Sequence, residues 1–130
     1  LGLVPNTGLM LANYAGALDE TQRIRVDGQL RLEGSSHIFA IGDCANVPEG
    51  KMGYTADMQG AAVAKNIVRT AAGKKLKAYK PGPMMALVPT GPKTGLVQLP
   101  FAVTTLGFMV GMKQKDLFIA RQFNNLGVKR

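Results

Sequence analysis

The chain has 130 residues, 16 glycines, one cysteine, one histidine and a net charge of +8. That length suits one modest domain and is short for an enzyme that binds two nucleotides. A lone Cys44 excludes an internal disulfide, a paired redox thiol and a thiolate metal cluster, and a lone His37 leaves metal catalysis and a histidine-based triad without support.

Charge is unevenly spread. Residues 1–64 carry four basic residues against seven acids, net −3, whereas residues 65–130 carry twelve against Asp116 alone, net +11. A basic half of this kind implies an anionic partner: membrane lipid, a phosphate-rich cofactor or nucleic acid. Nucleic acid is the weakest of these, because aromatic residues do not interleave with the cations. No charged-then-apolar leader opens the sequence.

In chain order, residues 1–7 (LGLVPNT) predict an apolar strand end running into a Pro-Asn turn, and residues 8–18 a short helical or irregular link. Residues 23–32 predict a β-hairpin about Asp27-Gly28, since Asp-Gly favours the type I′ turn. Ser35, Ser36 and His37 form a polar break, with His37 a turn residue. The apolar run 38–41, closed by Gly42, fits a buried parallel strand. A loop containing Pro48 follows. From about Thr55 a helix is expected, burying Met58, Ala61, Ala62, Ala64 and Val68, with Gly73 stopping it.

Residues 74–80 are basic and open a strand through Leu76 and Tyr79. Pro81-Gly82-Pro83 punctuates the chain as a domain boundary. Residues 84–88 and 95–99 predict two strands around a turn, extended by 101–103. Residues 106–112 suit strand or helix equally. Residues 116–124 predict a helix carrying Leu117, Ile119, Ala120 and Phe123. The uncharged stretch 94–112 invites a membrane span, but Gly95, Pro100, Gly107, Gly111 and paired threonines favour a half-buried sheet.

Residues 38–45 (IFAIGDCA) carry the chemistry. An apolar strand delivers Gly42 and Asp43 to a crevice at its carboxyl end. Gly42 lets a ligand approach the backbone, and Asp43 accepts hydrogen bonds from sugar or ribitol hydroxyls. The helix after it aims a positive dipole end at an electron-rich group. Cys44 reads as a small packing residue.

The order 26–34, 38–45 and 55–66 (TADMQGAAVAKN) closely resembles the second FAD-binding segment of the pyridine-nucleotide flavoprotein reductases. There a hairpin precedes strand-Gly-Asp and an Ala-rich helix with a Gln near its start. Residues 3–7 look like that family's return from the NAD(P)H domain. Residues 78–82 (AYKPG) and 113–118 (KQKDLF) are similar to the ferroptosis-suppressor group of apoptosis-inducing-factor-like, mitochondrion-associated flavoproteins, related to type II NADH dehydrogenases.

The resemblance implies an α/β to α+β fold. Residues 1–80 would be the C-terminal part of an FAD-binding Rossmann-like domain, and 81–130 a small α+β domain of short strands and a terminal helix. It implies an NAD(P)H:quinone oxidoreductase with FAD as cofactor and NAD(P)H as electron donor. Gly42 and Asp43 would meet the FAD ribitol and pyrophosphate. Lys51 and Met52 would lie beside the isoalloxazine, with Tyr54 and Thr55 leading into the helix. Lys113 and Phe118 would close the flavin and quinone region.

It further implies a cytoplasmic protein peripherally attached to a lipid droplet, plasma membrane or outer mitochondrial surface. No G-x-G-x-x-G follows a strand. These residues therefore carry half a flavin site and should be inactive alone. The alternative is a non-catalytic module for membrane docking, or for dimerisation by strand or domain exchange. In that reading Lys65, Arg69, Lys74, Lys75, Lys77 and Lys80 lean on anionic lipid.

Overall fold

A computed structural model of the chain describes residues 4–14, 16–91, 94–105, 107–116 and 118–128. The chain divides into two compact units, 1–82 and 83–130. Together they contain the helices and short strands of an α+β protein.

The first unit begins with helix α1, Gly8–Asn13, and then folds through irregular extended segments. Two turns of one design organise those segments. In each, an aspartate at the first position accepts the amides two and four residues on: Asp19 those of Thr21 and Arg23, Asp27 those of Gln29 and Arg31. The fourth residue takes a left-handed conformation, Gln22 at φ 61° and Leu30 at φ 65°. Single antiparallel bridges flank the turns, Leu18 with Ile24 and Val26 with Leu32.

The hairpin about Asp27 thus forms, but not with the type I′ turn that Asp27-Gly28 predicts. Gly28 is absent from the residues of positive φ, and Leu30 takes that backbone strain while remaining only 2% exposed. Burial of a leucine side chain, about 1.5–3 kcal/mol, outweighs the about 1–2 kcal/mol of a left-handed residue. The Asp27 carboxylate closes the turn further by pairing with Arg31 at 2.9 Å.

The apolar run 38–41 is extended, yet it pairs antiparallel with 30–32: Leu32 N–H donates to Ile38 O and Ala40 N–H to Leu30 O. The short reversal at Gly34–Ser36 permits only this sense, since parallel neighbours need a crossover of about a dozen residues or more. Parallel pairing occurs instead between Ile24 and Ala45. Leu30, Leu32, Ile24, Ala45, Val47 and Val63 form the core around these segments.

Helix α2, Gly53–Ala71, covers that core. It ends as Gly73 predicts: at φ 64° the glycine donates to Thr70 O while Lys74 N–H reaches Arg69 O. Its inward face corrects the expectation. The buried residues are Thr55, Gln59, Val63 and Asn66, whereas Met58 and Val68 are 40% and 68% exposed. The polar side chains turn inward because each finds partners there.

Asn66 explains why residues 74–80 are not a strand. Its amide accepts Lys77 N–H and donates to Lys77 O, both at 2.9 Å, and so replaces a strand neighbour. Tyr79 N–H then bonds Gly28 O.

The second unit follows the sequence more closely. Strands β1 (Ala86–Pro89), β2 (Gly95–Leu99) and β3 (Ala102–Thr104) form an antiparallel sheet in that order. Along β2 burial alternates, with Val97 buried between exposed Leu96 and Gln98. Helix α3, Gly107–Asp116, packs Val110 against Gly95, where an added Cβ would lie 2.8 Å from both the Val110 side chain and Val88 O. Phe118, at φ 60°, separates α3 from α4, Ile119–Asn125. Leu117 lies outside the described residues, as do 1–3 of the expected first strand. Among the described residues no helix is long and apolar enough to cross a membrane.

The aspartate turns give a pH prediction. The Arg23 amide chiefly holds Asp19 below its ordinary 3.8; burial pushes Asp27 upward, but the Arg31 and Gln29 amides and the Arg31 guanidinium outweigh it and lower it too. Both groups are lower in the folded chain than in the unfolded one. Their stabilisation is therefore complete well above pH 3.8 and is lost as pH falls through the folded values. Urea titrations should show this acid loss reduced in Asp27→Asn, whose amide oxygen still accepts the turn hydrogen bonds. An unchanged pH slope in that variant contradicts the assignment.

Candidate functional site

Six of the sequence-predicted residues gather where the 3-10 turn Gly42–Cys44 meets the N-terminal end of α2. Gly42 has φ 72°, and a Cβ there would touch Ala56 at an ordinary 3.6 Å. The requirement for glycine is therefore one of backbone conformation more than of space. Its N–H donates to Gln59 Oε1 at 2.7 Å.

Asp43 is exposed, and its carboxylate makes no hydrogen bond or ion pair among the described residues; its carbonyl accepts Arg23 Nε. Cys44 donates its thiol to Ile41 O and is half-buried, consistent with a packing role. His37 lies exposed in the Ser35-Ser36 turn.

Lys51 is half-buried and donates its ammonium to Ala45 O at 2.7 Å and Val47 O at 2.8 Å. Burial lowers its pKa, aided by the Arg23 charge and opposed by Glu49, Asp43 and Asp19. The lysine thus fastens the loop to the start of α2, leaving one N–H for another acceptor. Met52 is the N-cap, extended at φ −140°. The Thr55 hydroxyl, buried, accepts Met52 N–H and lies within 2.8 Å of Gly50 O and Met52 O. Tyr54 is half-buried, and a Cβ on Gly82 would fall 2.8 Å from its hydroxyl. Gly82, at the end of the unit, thus lies close against the Tyr54 hydroxyl at the helix start, with no room for a side chain.

Sequence reasoning missed the group that holds this corner together. Gln59 Nε2 donates to Glu49 Oε1 at 2.6 Å, and the Tyr79 hydroxyl donates to the same oxygen at 2.8 Å. Burial first, and then Glu49, push the Tyr79 phenol well above its ordinary range. Glu49 Oε2 is buried without a hydrogen-bond partner among the described residues. The available signal was the polar spacing Thr55, Gln59, Asn66 along an otherwise Ala-rich helix, a stripe at helical period that competes with the apolar one.

Lys113 and Phe118 belong to the second unit. Lys113 Nζ donates to Leu87 O at 2.6 Å and so ties α3 to β1, while Gln114 bonds Gly91 O. Phe118 occupies the left-handed break between α3 and α4 and is 37% exposed.

A glycine-aspartate turn seated by a buried glutamine on the first turns of an Ala-rich helix defines the class of site. No family model matches the chain. The chain is, however, 31% identical to ferroptosis suppressor protein 1 of Homo sapiens over 131 residues, covering 96% of this chain and 34% of that protein. It is likewise 31% identical to ferroptosis suppressor protein 1 of Taeniopygia guttata, and 30% identical to apoptosis-inducing factor homolog B of Dictyostelium discoideum. Each of these matches covers 97% of this chain and 34% of the relative. The resemblance read from the flavin-type segment and the tail therefore runs through nearly the whole chain. The chain spans about a third of the length of these relatives.

Gly42 supplies a direct test of the turn. Gly42→Ala should destabilise the first unit by about 1–2 kcal/mol, the price of a left-handed alanine, because Ala56 leaves room for the methyl. A chemical-denaturation midpoint equal to that of the parent chain contradicts the account.

Proposed function

We propose that these residues form one wall of the FAD site of an NAD(P)H:quinone oxidoreductase of the ferroptosis-suppressor type, and that the wall alone is inactive. The observation that carries the proposal is the Gly42-Asp43 turn seated by Gln59 at the start of α2. Similarity to ferroptosis suppressor protein 1 over nearly the whole chain supports it. In this reading residues 1–80 are the C-terminal part of a Rossmann-like FAD domain, and 81–130 are the small C-terminal domain.

The residues fit a flavin in three respects. Asp43 presents an exposed carboxylate, an acceptor for ribitol hydroxyls. The N-terminal end of α2 presents partial positive charge to an electron-rich ring edge. The orphaned Glu49 Oε2 offers a buried acceptor at the same corner. Two residues contribute less directly than the family resemblance implies: Gly42 spends its N–H on Gln59, and Lys51 spends two of its three on carbonyls.

When bound, FAD would supply the hydride and electron chemistry between NAD(P)H and quinone. The chain's own residues would bind and orient. Gly42 allows close approach, Asp43 fixes the sugar-like chain, and Lys51, Met52, Tyr54 and Thr55 shape the floor beside the helix start. For Lys113 and Phe118, both in the second unit, a part in the quinone step rests on the family resemblance.

A chimera tests this reading. The region of the human relative matched by this chain is replaced by these 130 residues. It should purify with FAD bound and oxidise NAD(P)H with a soluble quinone, while the 130 residues alone bind FAD weakly. A folded chimera without flavin contradicts the site; tight stoichiometric FAD binding by the chain alone contradicts the half-site.

A further inference from the structure

We propose that a groove between the C-terminal half of α2 and the segment behind it docks the chain onto an anionic phospholipid surface. Ala64, Lys65, Val68, Arg69 and Lys77 line this open groove of about 430 Å³. Its position is independent of the flavin corner, and the proposal stands whether or not the chain helps to bind FAD.

The fold gathers these cations deliberately. Lys65 and Arg69 stand one turn apart on α2, a spacing at which like charges repel. Asn66 then draws residue 77 against the helix by two hydrogen bonds, and Arg69 Nε donates to Lys75 O. Three positive side chains therefore converge on one groove from two segments. No acid lines the groove, and among the described residues no ion pair involves its three cations. An external anion is what such a cluster lacks.

The floor narrows the choice of anion. Ala64 and Val68 are apolar, Val68 is 68% exposed, and Ile67 beside it is 53% exposed. Cations rimming exposed apolar residues suit the headgroup-acyl boundary, where lysine and arginine stems lie along apolar matter and their charges meet phosphate. Nucleic acid also carries phosphate, but the groove has no aromatic platform for bases. Lys74, Lys75 and Lys80 are exposed on the same basic segment and add long-range attraction.

Co-sedimentation of the whole chain with phosphatidylcholine vesicles, with and without phosphatidylserine, tests the proposal. Binding should require phosphatidylserine and weaken with salt. The triple variant Lys65→Gln, Arg69→Gln, Lys77→Gln should lose partitioning roughly a hundredfold. Neutralising Lys74, Lys75 and Lys80 instead, with the same net charge, should lose less. Val68→Glu keeps every cation and should also weaken binding; it carries the test if the triple variant does not fold. Equal binding to neutral vesicles, equal loss from both triple variants, or full binding by Val68→Glu overturns the proposal. Retention on poly-glutamate with none on vesicles overturns it in favour of an acidic protein partner.

Discussion

A chain of three hydrogen bonds sets the first unit: Gly42 N–H to Gln59, Gln59 to Glu49, and the Tyr79 hydroxyl to the same carboxylate oxygen. It links four separate parts of the sequence, namely the glycine-aspartate turn, the loop before α2, α2 itself and the basic segment after it. Because Glu49 accepts and does not donate when ionised, it obliges Gln59 to present its NH2 outward and its oxygen to Gly42. In a low-dielectric corner such linked bonds reinforce one another, and an unpaired member is expensive. The inward turn of Gln59 and the fixed position of Gly42 follow from this constraint, while Thr55 and Asn66 turn inward for partners of their own, Gly50 and Lys77.

That constraint also decides which face of α2 remains outside. With Thr55, Gln59 and Asn66 committed to partners within, Met58 and Val68 are left at the surface of the unit. The C-terminal part of that exposed surface is the apolar floor beneath Lys65, Arg69 and Lys77. One helix thus presents its start to the proposed cofactor and its end to the proposed lipid surface, two chemistries separated by its own length.

Much of the second unit was legible because its elements obey local rules. The expected strands 84–88 and 95–99 are short apolar runs bounded by Pro and Gly, and they form β1 and β2; in the first unit Gly73 likewise ends α2 as a glycine cap should. What the sequence concealed was polar chemistry acting at a distance. Apolar periodicity placed Met58 and Val68 inside α2, since no local rule reveals that Gln59 would find Glu49, ten residues upstream, or Asn66 find Lys77. The Asp27 turn failed for a related reason: the carboxylate, and not Gly28, supplies the reversal. At the candidate site the grouping of Gly42 and Asp43 with the helix start was readable; the role of Lys51 as a loop fastener was not.

The most direct measurement is amide hydrogen exchange at Gly42 in the parent chain and in Glu49→Ala. Residue 49 does not hydrogen-bond Gly42 and acts on it only through Gln59. If the linked hydrogen bonds hold the turn, removing the carboxylate frees Gln59 and the Gly42 amide exchanges markedly faster, while amides in the middle of α2 keep their protection. Unchanged protection at Gly42 in a folded Glu49→Ala chain would show that the turn stands without the network and contradict the account.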